Sequence, residues 1–202
     1  FLTAASLLQV VNEKHLAMAR DANPLSKLPG NHMVVEYVTD LVTDGDTEAV
    51  IAYFDFDNFK PFNDTYGFRQ GDRAILLFAE LLKKSFIADG VFLGHIGGDD
   101  FFAGWRGVGL DQARERLVDL RESFRHQVET FYDKDARDAG GIVAKDRGGV
   151  ERVFPLLSVS IAVMHLKPGR AGITPDDLAQ QIAVTKKESK RADDGIAVGV
   201  VG

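Results

Sequence analysis

Residues 90–105 read GVFLGHIGGDDFFAGW, two short apolar runs separated by two glycines and two acids. Runs of this length, rich in Val, Ile and Phe and joined by Gly-Gly, predict a β-hairpin with a two-residue turn at Gly97-Gly98. Asp99 and Asp100 then fall at the mouth of a buried hairpin, where an ionised carboxylate is costly unless it has a partner. The glycines and acids therefore need a use, and the surrounding sequence suggests one.

Outward from the hairpin, EAVIAYFDFD at 48–57 is nearly continuous in apolar residues and ends on Asp55 and Asp57, as a buried strand would. GFRQGDRAILLFAELLKKSF at 67–86 sets Ile75, Phe78, Ala79 and Leu82 at helical spacing, and 110–132 reads as a charged amphipathic helix. GGIVAKDRGGVERVFPLLSVSIAVMHL at 140–166 predicts a hairpin turning at 146–149 and feeding a core strand over 156–163. Thr174 and Pro175 open the last helix as N-cap and first helical residue, and GIAVGVV at 195–201 closes as a strand. Upstream, Asn23-Pro24 breaks a first helix, and Asn31 is the expected N-cap of a second that carries Met33, Val34, Tyr37, Val38 and Leu41. Strands alternating with helices around a central hairpin predict an α/β (α+β) fold, a mixed sheet flanked by helices.

The composition narrows the function classes. The 202 residues suit one domain with an extra element, and 45% apolar with 27% charged residues is ordinary for a globular chain. There is no cysteine, which excludes disulfides and thiolate metal sites and suits a reducing cytosol. A net charge of −6 argues against nucleic acid or anionic lipid as a general partner, and no apolar run approaches a membrane span. The five histidines lack metal-binding spacing, so His95 and His165 are expected to serve packing or hydrogen bonding. The opening segment has neither an initiator Met nor the order of a signal peptide, and residues 1–22 read as a linker or signalling helix from an upstream region.

If the strand at 48–57 lies beside the hairpin, Asp55 and Asp99 meet. Two carboxylates in close approach raise one another's pKa unless a cation intervenes, and an oxygen-only set suits Mg²⁺ or Mn²⁺. Strand-ending and turn-forming acids explain the same positions without metal, so spacing alone leaves both readings open. Asn58, Phe59 and Lys60 follow the strand directly, where backbone N–H groups in a turn can bind an anion. Lys186 and Lys190 share a helix face and could clamp one polyanion, or simply face solvent. Asn63 and Asp72 carry the hydrogen-bonding groups that read a guanine edge, although Asp72 also suits the start of a helix.

FDFDNFKPFNDTYGFRQGD at 54–72, followed by GGDDF at 97–101, resembles the GGDEF family of diguanylate cyclases. NPLSKLPGN at 23–31, LSVSIAV at 157–163 and AVTKKESK at 183–190 resemble that family's entry segment, later strand and final helix end, in the same order. The resemblance covers about 23–201 and implies a palm-like fold with a five-stranded mixed sheet. It implies that each domain binds one GTP and that a homodimer makes cyclic di-GMP and pyrophosphate. Carried over by position, Asp55, Asp99 and the Phe56 carbonyl would hold Mg²⁺ or Mn²⁺. Asn58 and Phe59 would offer N–H groups, and Lys60 its ammonium, to the triphosphate, while Lys186 and Lys190 hold its outer phosphates. Asn63 and Asp72 would read guanine, and Gly97 and Gly98 would give the nucleotide clearance. Asp99 and Asp100 would be the catalytic acids.

The chain departs from the family pattern at several positions. Asp100 stands where Glu is usual, Phe68 replaces a His, Ser189 a Gly and Lys190 an Arg. The inhibitory Arg-x-x-Asp motif is absent, since 88–91 reads ADGV. Residues 134–153 look like an inserted β-hairpin, and the Gly-Asn ending of the entry segment resembles the form found downstream of EAL and CBS domains. These departures leave two expectations, a working cyclase and a degenerate module that binds GTP and regulates an adjacent phosphodiesterase domain.

Overall fold

The computed structural model describes residues 21–145, 148–170 and 172–202. The expected N-terminal helix lies outside them except for its last residues, as does part of the 146–149 turn. The described elements run α1 (Asn31–Thr43), β1 (Ala49–Asp57), α2 (Phe59–Tyr66), α3 (Phe68–Phe86), β2 (Phe92–Gly97), β3 (Asp100–Arg106), α4 (Leu110–Val128), α5 (Lys134–Ala139), β4 (Gly141–Lys145), β5 (Glu151–Pro155), β6 (Ser158–Leu166), α6 (Pro175–Ser189) and β7 (Ile196–Val201). Among the α-helices, the separate short α2 and α5 are absent from the sequence-based expectation.

Five strands form one mixed sheet in the order β2-β3-β1-β6-β7, antiparallel except for the β6–β7 pair. Its centre is β1, buried on both faces, which explains why EAVIAYFDFD is continuous rather than alternating in apolar residues. One face carries Phe54, Phe56 and Phe101 against Phe78 of α3 and Phe124 of α4, with ring centroids 4.8–5.9 Å apart. The other carries Ile51 and Phe102 against Val34 and Leu41 of α1 and Leu178 and Ile182 of α6. Asp55 and Asp57 alternate with Phe54 and Phe56, so they share the α1–α6 face.

The ends of the helices are set locally. Thr174 caps α6 in a full capping box with Asp177, as its sequence predicts. Asn31 is the first helical residue of α1 rather than its cap. The N-cap is Gly30, which has no side chain to offer, and the Asp21 carboxylate accepts from the N–H groups of His32 and Met33 at 3.3 and 3.0 Å instead. A Cβ at Gly30 would lie 2.1 Å from the Asp21 carbonyl oxygen, so glycine is what admits this remote cap.

The β4–β5 hairpin forms its own two-stranded sheet. It is joined to α2 through Tyr132, whose ring lies 5.1 Å from Phe62 and 5.3 Å from Tyr66 and whose hydroxyl accepts from Leu157 N–H at 2.7 Å. Tyr66 in turn donates to Asp133, the side-chain cap of α5, at 2.8 Å.

Candidate active site

The central hairpin turns one residue later than its sequence predicts. Gly97 pairs with Asp100, so the turn residues are Gly98 and Asp99, and a bulge between His95 and Gly97 takes up the shift. Gly98 has φ +56, the left-handed region, and nothing lies within 4 Å of where a Cβ would stand on either glycine. Buried His95 pins the turn. One ring nitrogen is 2.8 Å from Ser26 Oγ and the other 2.9 Å from the Gly98 carbonyl, and the ring stacks on Phe101 at 4.1 Å. The expected packing role of His95 is therefore accompanied by a hold on the signature turn.

The shift makes Asp100, not Asp99, the cross-strand partner of Asp55. Like charges directly opposite one another destabilise a sheet. Here Lys186 of α6 bridges them, 2.6 Å from Asp100 Oδ1 and 3.4 Å from Asp55 Oδ2, while Lys190 one turn on pairs with the other Asp55 oxygen. Burial works against the Lys186 ammonium, but Asp100 and Asp55 outweigh it and raise its pKa. Asp57 is separated from this group by its own donors, the hydroxyls of Ser158 and Ser160 on β6 at 2.8 and 2.7 Å.

Asp99 projects from the turn without such a counterion. Burial first, then the charges of Asp55 and Asp100, push its carboxyl pKa up, partly offset by its own backbone N–H and Lys190. Asp55, Asp99 and Phe56 border a cavity of about 600 Å³ that also meets Asn58, Phe59, Lys60, Asn63 and Lys190. Among the described residues no three His, Cys, Asp or Glu side chains form a metal cluster. The donors present fit a Mg²⁺-like ion, which takes one or two carboxylates and completes its shell with water and substrate phosphate.

The opposite wall is α2. Asn58 is its N-cap in the left-handed conformation, φ +62, which leaves the first-turn N–H groups of the helix directed at the cavity end of β1. Lys60 lies 2.5 Å from Asp64 Oδ2, both bordering the cavity. The Asn63 amide oxygen is buried with no hydrogen-bond partner among the described residues. It lies against α3, where a Cβ on Gly71 would come within 1.9 Å of it. Asp72 is exposed on α3 and does not border the cavity, nor do Gly97, Gly98, Asp100 and Lys186, which stand beside it. Sequence reading gave no role to five residues of the wall, Pro61, Asp64, Phe68, Lys145 and Phe154. Of these only Phe68 carried a signal, standing where the family pattern has His, and the structure leaves it 79% exposed.

The family model for the diguanylate cyclase GGDEF domain matches residues 21–142, more than half of the chain. Diguanylate cyclase DgcP of Escherichia coli strain K12 is 26% identical over 178 residues, 83% of this chain and 51% of that protein, so the chain spans about half the length of this relative. The coiled coil and GGDEF domain of DgcB from Caulobacter crescentus, solved in complex with c-di-GMP, has a TM-score of 0.64 at 19% identity, covering 97% of this chain and 96% of that one. SiaD from Pseudomonas aeruginosa, solved with its activator SiaC, has a TM-score of 0.66 at 20% identity, covering 98% and 69%. The structural likenesses establish the fold, and the family match establishes that the chain belongs to the GGDEF domain family.

Proposed function

We propose that this domain is a diguanylate cyclase that binds one GTP in the cavity and, as a homodimer, joins two GTP into cyclic di-GMP with release of pyrophosphate. The observation that carries the reading is the convergence of Asp55, Asp99, Lys190 and the α2 N-terminus on one cavity that also holds the partnerless Asn63 amide. In each of two equivalent steps a 3′-hydroxyl loses its proton, its oxygen bonds the α-phosphorus of the other GTP, and the bond to the β-phosphate breaks.

Mg²⁺ or Mn²⁺ held by Asp55, Asp99 and the Phe56 carbonyl would neutralise the transferring phosphoryl group and favour ionisation of the hydroxyl. The chain's own groups do the rest. The N–H groups of Asn58 and Phe59 with the Lys60 ammonium receive the triphosphate. Lys186 and Lys190 exchange their carboxylate partners for outer phosphate oxygens. Asn63 reads guanine from the wall, a donor on the base satisfying its oxygen, and Asp72 reads the part of the base that extends past the wall along α3. Gly97 and Gly98 leave clearance beside the nucleotide, Asp99 would hold the cation, and Asp100, released by Lys186, accepts the proton that the hydroxyl loses. We place this activity in the cytoplasm, under the control of an upstream regulatory domain of the EAL or CBS kind reached through residues 1–22.

One observation favours the second reading, a module that binds GTP without turnover. Asp100 is short by one methylene and is engaged by Lys186 at 2.6 Å, so its charge is partly spent on an internal ion pair. Incubation with GTP and Mg²⁺, read by mass spectrometry for cyclic di-GMP, decides between them. Product from the wild type and none from Asp99→Ala is expected. Bound GTP without product at high protein concentration would establish the binding module instead.

A further inference from the structure

The β4–β5 hairpin reaches the cavity with two residues that no expected role includes. Phe154 of β5 and Lys145 of β4 both border the space that also meets Asp99 and Asn63. Phe68, exposed at the start of α3, borders it too, so the hairpin adds a ring and a lysine to a wall that already carries Phe56, Phe59 and Phe68 among its polar groups. The cations there are not equivalent. Lys60 is paired with Asp64 and Lys190 with Asp55, whereas Lys145 has no carboxylate within ion-pair distance among the described residues. An anion can engage Lys145 without displacing an internal partner. The hairpin is also held in place, through Ile142, Tyr132 and the α2 rings Phe62 and Tyr66, so its approach to the cavity is built into the packing.

We propose that this hairpin is a third wall of the nucleotide site, with Lys145 taking a phosphate group and Phe154 taking the face of the purine base. This rests on the cavity being a GTP site. An ammonium meeting a phosphate adds an electrostatic contribution that salt screens, and a base on an aromatic face adds one that salt leaves largely alone. The two contributions are therefore separable.

Binding is measured by calorimetry with GTP and Ca²⁺ in place of Mg²⁺, and again with guanosine. Lys145→Ala should weaken GTP by roughly fivefold, the weight of a solvent-exposed ion pair, with the loss shrinking in high salt and absent for guanosine. Phe154→Leu, chosen to keep apolar bulk in the hairpin, should weaken both ligands by roughly threefold at either salt concentration. Lys187→Ala, on α6 and outside the cavity wall, should change neither. Unaltered GTP affinity in both hairpin variants, or an equal loss in Lys187→Ala, would overturn the proposal while leaving the site intact. Failure of the wild type to bind GTP would instead remove the reading beneath it. A thermal melt of Phe154→Leu that matches the wild type excludes misfolding as the cause of its loss.

Discussion

Asp99 is the residue at which function and stability oppose one another. Its carboxyl is pushed up from the ordinary 3.8 by burial and by Asp55 and Asp100, so the folded state holds this proton more tightly than the unfolded chain does. By linkage its contribution to stability is most favourable below 3.8 and is lost as the pH rises through the raised folded value. At neutral pH the ionised group is a strain on the fold that a bound cation would relieve. Asp99→Asn should therefore melt higher than the wild type at pH 7, with the difference narrowing as the pH falls toward 3.8, and should make no cyclic di-GMP. Equal melting temperatures at pH 7 would show that Lys190 and the turn N–H already balance the charge. Asp100 offers the converse test. Its side chain is roughly 1.5 Å shorter than Glu, and a displacement near 1 Å can cost on the order of a hundredfold in rate. Asp100→Glu, which keeps a carboxylate for Lys186, should raise turnover, by up to about a hundredfold. An unchanged rate would mean that this position does not limit the chemistry.

At the scale of elements, the site is made by contacts between units that are individually ordinary. The strands and the long helices were legible because their apolar residues repeat at the right period, and β1 shows it best. The α2 helix was not legible. Pro61, Asn63, Asp64 and Thr65 are poor helix formers, and what holds them is burial of Phe62 beneath Tyr66 and Tyr132, a tertiary effect that no local pattern carries. The turn at Gly98-Asp99 was off by one for a similar reason. The bulge that shifts it is tied to His95, whose ring is drawn between Ser26 and the Gly98 carbonyl, and Ser26 is 69 residues away in sequence. The α2–α3 contact makes its own prediction. Gly71→Ala would drive a methyl group into the Asn63 amide, with its cost to the fold partly offset by the roughly 0.5–1 kcal/mol that Ala gains over Gly inside a helix. Preference for GTP over ATP should then fall by roughly tenfold, the weight of one buried hydrogen bond, while the melting temperature moves little. Retained selectivity would remove Asn63 from base reading.

On the scale of the whole molecule, Asp55, Asp99, Asp100, Lys186 and Lys190 lie at one end of the sheet, where β1 ends, the β2–β3 hairpin turns and α6 finishes. The sequence named these residues because their chemistry is written in their types. It could not name the β4–β5 hairpin as part of the cavity, since that depends on how α2 and Tyr132 turn a distant segment back toward β1. The cavity is open to solvent on the side away from the core, and on the proposed reading it holds one nucleotide where the product needs two. Each nucleotide must then be attacked by a group that the same chain does not hold, and two chains must present their cavities to one another. Turnover per molecule should therefore rise in proportion to protein concentration while the monomer predominates, and level off where sedimentation shows the dimer complete. Mixing Asp99→Ala with wild type at a fixed wild-type concentration should lower product formation, because mixed dimers carry one defective site. A rate per molecule independent of concentration across the monomer range, and unaffected by the inactive variant, would exclude a two-chain mechanism.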